Sequence, residues 1–337
     1  MGQGGKFIVM PLTLDSSNLL FGSIGIGNPR QNFTVLIDTG SSAFWVTSSD
    51  CSGRCGRNSF FCEKSNSCNK KNKTVSASYN TGSIRGQAFF DTVSIGGSSV
   101  NKQFIVGVNE GSNIFSYMAA DGVLGLPATC TSDNLGKCFL RNLVYQGLID
   151  REMFSIRSSE NKTYTEIIFG SSGATFDTHA PIVLPIHEDS TQFWALNIDR
   201  ITVGEEAVSS ASARAILDTG TPLIVGPLPV VSKIQRFLGC QVHPNGYAIV
   251  EVCRSKLCPD IYFEIGNNIF ALQPSDYLVD CDDSFCFLGI ITSNDLIKEK
   301  PLTGDLLHDG WILGSIFLRN YNITFDAENR SISFAKL

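Results

Sequence analysis

Two short segments of the chain carry side chains that could perform general acid–base chemistry. Residues 36–42 read LIDTGSS and residues 216–221 read ILDTGT, so each segment places a carboxylate directly after an apolar, strand-like run. One Asp-Thr-Gly is a weak signal, because ordinary turns after strands contain such tripeptides. Two copies, 180 positions apart, predict two homologous halves that each deliver one carboxylate, Asp38 or Asp218, to a shared place.

Two carboxylates held in contact keep one proton between them, because ionising both is unfavourable. The ionised partner then serves as general base for a water, and the protonated partner as general acid for a carbonyl group. The residues predicted to support the two carboxylates are Thr39, Gly40, Ser41, Thr219, Gly220 and Thr221. Their glycines permit close backbone approach, and the hydroxyl groups of Ser41 and Thr221 are placed to hydrogen-bond the outer carboxylate oxygens.

Each carboxylate segment is followed by a second repeated motif. Residues 121–126 read DGVLGL and residues 310–315 read GWILGS, about ninety positions after their own Asp-Thr-Gly. With these motifs, the sequence resembles the pepsin-like aspartic proteases, of the pepsin and cathepsin D type, from Phe21 to about Leu337. A proton shared by two aspartates is already established chemistry for that family.

The resemblance implies an all-β, mainly β fold with a few short helices, in which two lobes are related by pseudo-two-fold symmetry. We expect an N-terminal lobe over residues 1–180 and a C-terminal lobe over residues 181–337, joined near residues 181–189, where two prolines interrupt the periodicity. The 31 glycines and 23 phenylalanines favour β structure with tight turns. With 337 residues, of which 43% are hydrophobic, the chain can bury a large core.

A hairpin with its turn near Asn80–Gly82 is predicted over residues 76–86 (SASYNTGSIRG). A plain surface hairpin would show the same pattern, but this one lies between the two Asp-Thr-Gly segments. It resembles the family's flap, the hairpin that closes over substrate, which implies a hydrogen bond between Tyr79 and Trp45. The flap and substrate-binding residues that the resemblance implies are Tyr79, Asn80, Thr81, Gly82 and Trp45. Asn80 stands where relatives often have glycine.

Eleven cysteines indicate an oxidising compartment. Five Asn-x-Ser/Thr sequons agree with it, at Asn32, Asn72, Asn161, Asn322 and Asn329. The chain is therefore expected to be secreted or lysosomal. Residues 1–6 do not form a signal peptide, and Lys6 breaks a myristoylation pattern. The resemblance implies a signal and an inhibitory prosegment, and neither is visible in this sequence.

The first group of cysteines, Cys51, Cys55, Cys62 and Cys68, lies in one loop. Zinc ligation is the sharper alternative, but the group lacks paired Cys-x-x-Cys spacing and the compartment favours disulfides. We favour two local bridges, nested as Cys51–Cys68 and Cys55–Cys62, although sequence leaves three connectivities open. Relatives usually have one bridge in this loop.

The remaining cysteines predict three further bridges. Cys130 and Cys138 flank a short loop and are expected to pair locally. Four others fit nested antiparallel pairing as Cys253–Cys286, which the resemblance also implies, and Cys258–Cys281, which would be additional. A separation of five puts Cys253 and Cys258 on opposite faces of a regular strand, so a break is expected near Cys258-Pro259. Cys240 is left as a buried thiol or as an alternative partner.

The resemblance implies an aspartic endopeptidase that hydrolyses peptide bonds at acidic pH. Asp38 and Asp218 would activate one water without an acyl-enzyme, and apolar residues would be preferred at the cleavage point. Polypeptide substrates and pepstatin-type inhibitors are the expected partners of a monomer, and neither a cofactor nor a metal is expected. Three positions depart from the family: Ser315 where several relatives have Asp, Pro222 where Ser is common, and Ala43 where Asn is frequent. The first departure predicts a shifted pH optimum.

Other functions fit these residues less well. A net charge of −6 without a basic cluster argues against nucleic-acid binding, and no apolar run has transmembrane length. A catalytically inactive, peptide-binding relative is the main alternative, but both Asp-Thr-Gly units are intact. An aspartyl-phosphate enzyme is disfavoured because the expected lysine and a Gly-rich phosphate loop are missing. None of the four histidines lies in a nucleophile motif.

Overall fold

The computed structural model describes residues 5–52, 57–79, 81–130, 137–159, 164–171, 180–252, 257–296 and 310–337. The chain divides into two compact units. The first unit is formed by Met1–Trp194 together with Asn320–Leu337, and the second by Ala195–Arg319. This division differs from the expected boundary after residue 180, because strands that follow this residue belong to the sheet of the first unit.

Strands are numbered in chain order, and those of the first unit form a 13-stranded sheet in the described part of the chain. They are β1 (Ile8–Leu14), β2 (Leu20–Ile26), β3 (Gln31–Asp38), β4 (Phe44–Thr47), β5 (Asn69–Tyr79), β6 (Gly82–Ile95), β7 (Ser98–Gly111), β8 (Gly122–Gly125), β9 (Met153–Ser158), β10 (Thr165–Phe169), β11 (Ile182–Pro185), β25 (Tyr321–Asp326) and β26 (Ser331–Lys336). Their order is β11-β26-β25-β9-β10-β1-β2-β3-β8-β4-β7-β6-β5, with an additional pairing of β2 and β6.

The second unit contains three smaller sheets among its described residues. Its strands are β12 (Ala195–Ile198), β13 (Arg200–Val203), β14 (Glu206–Ser209), β15 (Ala213–Leu217), β16 (Ile224–Gly226), β17 (Gln241–Val242), β18 (Ala248–Glu251), β19 (Ile261–Ile265), β20 (Asn268–Leu272), β21 (Leu278–Val279), β22 (Phe285–Leu288), β23 (Ile290–Thr292) and β24 (Trp311–Leu313). The sheet orders are β12-β15-β24-β16-β23, β14-β13-β19-β20 and β17-β18-β22-β21.

The described α-helices are short, and α2 is an example of a helix with one apolar face. They are α1 (Phe139–Tyr145), α2 (Leu228–Leu238), α3 (Pro274–Tyr277), α4 (Ser293–Leu296) and α5 (Ser315–Leu318), and 3-10 helices span Cys62–Lys64 and Asn113–Tyr117. Helix α2 buries Val231, Ile234 and Leu238 on one face and ends at a Gly239 C-cap. None of the helices in the described ranges is long and apolar enough to cross a membrane.

The disulfides of the first unit correct one predicted connectivity. Cys62 is bonded to Cys68, so the nested pairs Cys51–Cys68 and Cys55–Cys62 are wrong. The 3-10 helix and the turn after it curl the chain back, which brings the two bonded Cα atoms to 5.5 Å. Cys51 is also disulfide-bonded, and Cys55 lies outside the described residues. Cys130 is bonded to Cys138, which is the predicted local pair.

The second unit also departs from the predicted pairing. Cys281 is bonded to Cys286, with 4.0 Å between their Cα atoms, so Cys253–Cys286 and Cys258–Cys281 are wrong. A tight turn makes this local bridge possible, because the Asp282 carboxylate accepts hydrogen bonds from the backbone N–H groups of two residues within the loop. Cys253 lies outside the described residues. The predicted break near Cys258-Pro259 is present, since β18 ends before it and β19 begins after it.

The thiol of Cys240 is expected to be unreactive in the folded chain. Burial raises its pKa from 9.0 to about 11, and the neighbouring Cys258 adds to the shift. Because only the thiolate is nucleophilic, mildly alkaline iodoacetamide should alkylate Cys240 about 100-fold more slowly in the folded chain than in urea. A time course of peptide mass spectra measures both rates, and equal rates would contradict the expectation.

Candidate active site

The first carboxylate lies where a buried strand ends beside an inserted neighbour. Strand β8 pairs in parallel with β3, so that Asp38 lies opposite Gly125, and pairs antiparallel with β4. It therefore separates the strand before Asp38 from the strand after it, and the chain must turn sharply between them. Asp38 is only 5% exposed. A buried carboxylate is costly unless it is hydrogen-bonded, so its stability depends on partners within the protein.

The turn after Asp38 supplies those partners. The backbone N–H of Gly40 donates to Oδ1 at 2.9 Å, and the Ser41 hydroxyl donates to Oδ2. On the backbone side, the N–H of Leu126 donates to the carbonyl oxygen of Asp38 at 2.8 Å. Hydrogen bonds to an ionised acceptor are stronger than neutral ones, so both carboxylate oxygens are held in a fixed orientation.

The second unit repeats this arrangement around Asp218. Strand β24 pairs in parallel with β15, which leads to Asp218, and antiparallel with β16, which follows it. The N–H of Gly220 donates to Oδ1 of Asp218 at 2.8 Å, and the hydroxyl of Thr221 donates to Oδ2 at 2.6 Å. The N–H of Asp218 donates to the carbonyl oxygen of Leu313 at 3.1 Å. Each unit thus presents one carboxylate with one backbone and one hydroxyl donor.

The glycines of the two inserted strands are required by close backbone contact. A Cβ on Gly125 would lie 2.7 Å from the carbonyl oxygen of Ala43 and 2.8 Å from its nitrogen. A Cβ on Gly314 would overlap the carbonyl oxygens of Thr221 and Leu223. Only glycine leaves room for these neighbours, which explains the apolar-apolar-glycine motif that both halves of the sequence contain.

The predicted hairpin is formed by β5 and β6, with Tyr79 opposite Gly82. Asn80 lies outside the described residues, and Thr81 is exposed at the turn. The indole N–H of Trp45 donates to the Tyr79 hydroxyl at 2.8 Å, and the ring of Phe115 makes edge contacts with both rings at 5.5 Å. Burial, and next the negative charge of Asp38, raise the pKa of Tyr79 far above its usual value of 10.0, so its hydroxyl stays protonated.

Removing the Tyr79 hydroxyl should loosen this hairpin without unfolding the unit. In Tyr79→Phe the Trp45 indole N–H, in a side chain that is 0% exposed, loses its acceptor, at a cost of about 1–3 kcal/mol. We expect a lower urea midpoint by tryptophan fluorescence and faster proteolysis within the hairpin. Tyr164→Phe, which removes an exposed hydroxyl bonded to Glu166, is the control, and equal effects of the two changes would contradict the interpretation.

The comparisons with known proteins agree with this geometry. A family model for eukaryotic aspartyl protease matches residues 20–337. The chain belongs to that family. Pepsin A of Bos taurus is 33% identical over 349 aligned residues, which cover 98% of this chain and 90% of the relative. Pepsin A of Sus scrofa and pepsin-3 of Oryctolagus cuniculus are each 33% identical over 320 residues, covering 94% of this chain and 80% of each relative.

This aspartic protease is an aspartic-type endopeptidase with the mainly β, pepsin-like fold. The three positions singled out in the sequence, Ser315, Pro222 and Ala43, make backbone contacts near the two carboxylate turns. Ser315 is 4% exposed, and its N–H donates to the carbonyl oxygen of Thr221 at 2.8 Å. The carbonyl oxygens of Pro222 and Ala43 accept N–H groups from Ile316 and Gly125, each at 3.0 Å. A neutral hydroxyl at Ser315 therefore packs against the Asp218 loop.

No role was predicted from the sequence for Asp121, which organises the first site of this aspartic protease. Its side chain is 2% exposed. One carboxylate oxygen accepts the N–H of Thr34 on β3, and the other accepts the N–H of Asn58, both at 2.8 Å. Its carbonyl oxygen accepts the N–H of Thr47 on β4 at 3.0 Å. The one sequence feature that could have identified Asp121 is its position as an acidic residue directly before a buried strand.

A cavity of about 160 Å³ adjoins the Asp38 turn within the first unit. Its apolar lining comes from Ala43, Phe44, Val75, Ala77, Phe104, Val106, Pro127 and Phe139. Two of these side chains belong to β5 of the hairpin, so the cavity lies between the hairpin and the carboxylate turn. In the described ranges, no group of three or more His, Cys, Asp and Glu side chains is arranged to hold a metal ion.

Proposed function

We propose that this aspartic protease hydrolyses polypeptides at acidic pH, with Asp38 and Asp218 acting together on one water. One observation carries the proposal. In a chain of this family, both units present an aspartate whose Oδ1 accepts a glycine N–H and whose Oδ2 accepts a hydroxyl. Each aspartate lies at the end of a strand that pairs in parallel with an equivalent inserted strand, β8 in the first unit and β24 in the second. Such matched carboxylates suit a pair that shares one proton.

The proposed reaction moves protons through this pair. The ionised carboxylate accepts a proton from the water as the water oxygen attacks the carbonyl carbon, and the protonated carboxylate gives its proton to the developing oxyanion. The amide nitrogen is then protonated, and the carbon–nitrogen bond breaks to release an acid and an amine. The hydrogen bonds from Ser41, Thr221 and the loop glycines are already formed, so the carboxylates need little reorganisation during the reaction.

The hairpin and the adjoining cavity favour apolar side chains near the cleavage point. We propose that the hairpin segment Tyr79–Gly82 covers the bound peptide and limits water access. The cavity beside the Asp38 turn is lined mainly by alanine, valine, proline and phenylalanine, and burial of an apolar substrate side chain there would be favourable. Its volume of about 160 Å³ suits one side chain rather than a larger group.

The disulfides support a secretory or lysosomal location. Three bridges join described residues, Cys62–Cys68, Cys130–Cys138 and Cys281–Cys286, and such bridges persist in oxidising compartments. We therefore propose that the chain matures in the secretory pathway. Pepstatin-type inhibitors are the proposed ligands of the substrate site.

Cleavage of an acid-denatured protein, with and without pepstatin, tests the proposal. We expect cleavage that rises as the pH falls from neutral, passes through a maximum and is blocked by pepstatin, because the carboxylate pair needs one proton. Reverse-phase separation and mass spectrometry of the products would give the cleavage sites. Tight pepstatin binding by calorimetry without cleavage at any pH would replace the proposal with an inactive, peptide-binding relative.

A further inference from the structure

A second cavity of the first unit lies away from the Asp38 turn. Its volume is about 400 Å³, and none of its lining residues lines the smaller cavity beside that turn. Asn32, which lines it, precedes Asp38 by six positions on β3, a spacing of roughly 20 Å at about 3.3 Å per residue. The polar side chains that line it are those of Ser23, Arg30, Asn32, Ser94, Ser98 and Ser99.

The floor of this cavity is one face of the sheet. Asn32 on β3 pairs with Gly25 on β2, and Gly25 pairs with Ser94 on β6. Ser94 pairs in turn with Ser99 on β7, and the two hydroxyl oxygens lie 3.2 Å apart in a hydrogen bond. Opposite residues of antiparallel strands project from the same face. The face therefore carries a row of uncharged polar groups with a gap at Gly25.

The side chain of Arg30 fills the gap at Gly25. A Cβ on Gly25 would lie 2.3 Å from Cγ and 2.1 Å from Cδ of Arg30, so the aliphatic part of the side chain lies flat on β2. Nε of Arg30 is 3.1 Å from the same point, which places the guanidinium group over the polar row. In the described ranges, no carboxylate forms an ion pair with Arg30, and none lines the cavity. The charge of this exposed guanidinium is therefore available to a ligand.

The turn between β6 and β7 holds one side of the cavity in place. Gly96 and Gly97 have φ angles of 51° and 80°, as a two-residue hairpin turn between the paired Ile95 and Ser98 requires. A Cβ on Gly96 would lie 2.4 Å from the carbonyl oxygen of Val9 on β1, so the turn packs closely against the sheet. A rim fixed in this way gives a preformed cavity, which is typical of small-molecule sites.

We propose that this cavity binds a saccharide that carries one anionic group, and that Arg30 pairs with the anion. Guanidinium N–H groups bind sulfate, phosphate and carboxylate oxygens in pairs. Serine hydroxyls donate and accept hydrogen bonds, which suits the hydroxyl groups of a sugar. The volume lies within the range of about 300–1,000 Å³ that small-molecule sites have, and an inorganic anion alone would fill only a small part of it.

This site is independent of the proposed hydrolysis. The separation of the cavity from Asp38 means that a bound saccharide does not cover the carboxylate turn. Saccharide binding should therefore be equally tight with and without pepstatin. A chain that proved unable to cleave peptides would still be expected to bind the saccharide.

Calorimetry with matched sugars tests the proposal. The full chain is produced in the bacterial periplasm, without N-glycosylation, so that no sugar on the Asn32 sequon covers the cavity. It is titrated with glucose 6-sulfate, glucose 6-phosphate and glucuronate, and with glucose and inorganic sulfate for comparison. One paired anion with several hydroxyl contacts should give a Kd of about 1 mM, with glucose and inorganic sulfate at least about tenfold weaker.

The three anionic sugars distinguish the sources of the ligand, because the tightest one shows whether the site reads a sulfate ester, a phosphate ester or a uronate. If none of them binds more tightly than glucose, the role of Arg30 is wrong. If inorganic sulfate binds as tightly as the anionic sugars, the saccharide is the wrong ligand.

Two variants test the geometry of the site. Arg30→Gln should weaken binding by at least about tenfold, because the charge-assisted hydrogen bonds are lost. Gly25→Ala keeps the charge but displaces the flexible Arg30 side chain, and it should also weaken binding. Arg236→Gln removes an exposed guanidinium from α2 in the second unit and should bind normally.

Urea midpoints by fluorescence show whether each variant has folded. Unchanged binding by folded Arg30→Gln would overturn the proposal, and so would an equal loss in Arg236→Gln, which would indicate attraction to positive charge in general. Unchanged binding by folded Gly25→Ala would contradict the placement of Arg30 over the polar row.

Discussion

Asp38→Asn is expected to lower kcat for peptide hydrolysis by at least about 10³-fold, within the range that general acid–base groups contribute. The amide has the size of the carboxylate; its oxygen can still accept the N–H of Gly40, and its NH2 group can donate to the Ser41 hydroxyl oxygen, in place of the two bonds that hold the native side chain. It cannot take a proton from water, so the pair loses its base. Initial rates with a fluorogenic peptide at acidic pH measure the effect.

The equivalent change in the second unit should have an effect of similar size. Asp218→Asn leaves the donors Gly220 and Thr221 in place and removes the same chemistry. Residues that act as one unit are not additive in their kinetic effects, so the double variant should be little worse than either single variant. Independent roles would instead multiply the two losses.

A surface aspartate provides the matched control for both variants. Asp283→Asn removes one carboxylate from an exposed position of the second unit and should change kcat by less than about two-fold, since surface substitutions have small effects. Pepstatin binding to Asp38→Asn, measured by calorimetry, reports whether the site has kept its shape. A variant that retains more than a tenth of the native kcat and remains pepstatin-sensitive would contradict the proposed role of Asp38.

Local patterns in the sequence were sufficient to predict the parts of the site that depend on neighbouring residues. An apolar run followed by Asp-Thr-Gly predicts a strand and a turn, and the hydroxyl three positions after each Asp reaches its own carboxylate within that turn. The hairpin before Gly86 was predictable for the same reason, because its turn and both strands lie within a few residues of each other.

Features that depend on distant contacts were not predictable from the sequence. The role of Asp121 requires Thr34 and Asn58 to come together, 87 and 63 positions away. The pairing of Cys62 with Cys68, and of Cys281 with Cys286, depends on how loops fold back, and sequence leaves several connectivities open. The sheet of the first unit includes β25 and β26, which come from residues 321–336. No local pattern in the sequence predicts this pairing.

Gly125→Ala is expected to destabilise the protein strongly, because it adds a Cβ beside the turn that carries the first carboxylate. The added Cβ would meet three backbone atoms within 3.0 Å, from Ser42 and Ala43, and backbone atoms cannot rotate away as a flexible side chain can. Overpacking a tight site costs about 1–3 kcal/mol or more, and we expect about 3 kcal/mol here because β3, β8 and β4 are all held in the ladder. Strand β8 would have to move away from β4. Because Gly125 of β8 pairs with Asp38 of β3, this movement would displace Asp38.

Gly111→Ala is the matched comparison, because it adds the same atom to the same sheet. Its Cβ would meet its nearest neighbours at 3.8 Å or more, which is ordinary contact. A glycine replaced where the backbone suits alanine gains about 0.4–1 kcal/mol from the unfolded chain, so Gly111→Ala should be neutral or slightly stabilising. Urea midpoints by fluorescence and kcat at acidic pH give both comparisons. If Gly125→Ala unfolds at the same urea concentration as Gly111→Ala and keeps its activity, the close contact of β8 with the Asp38 turn does not position the carboxylate.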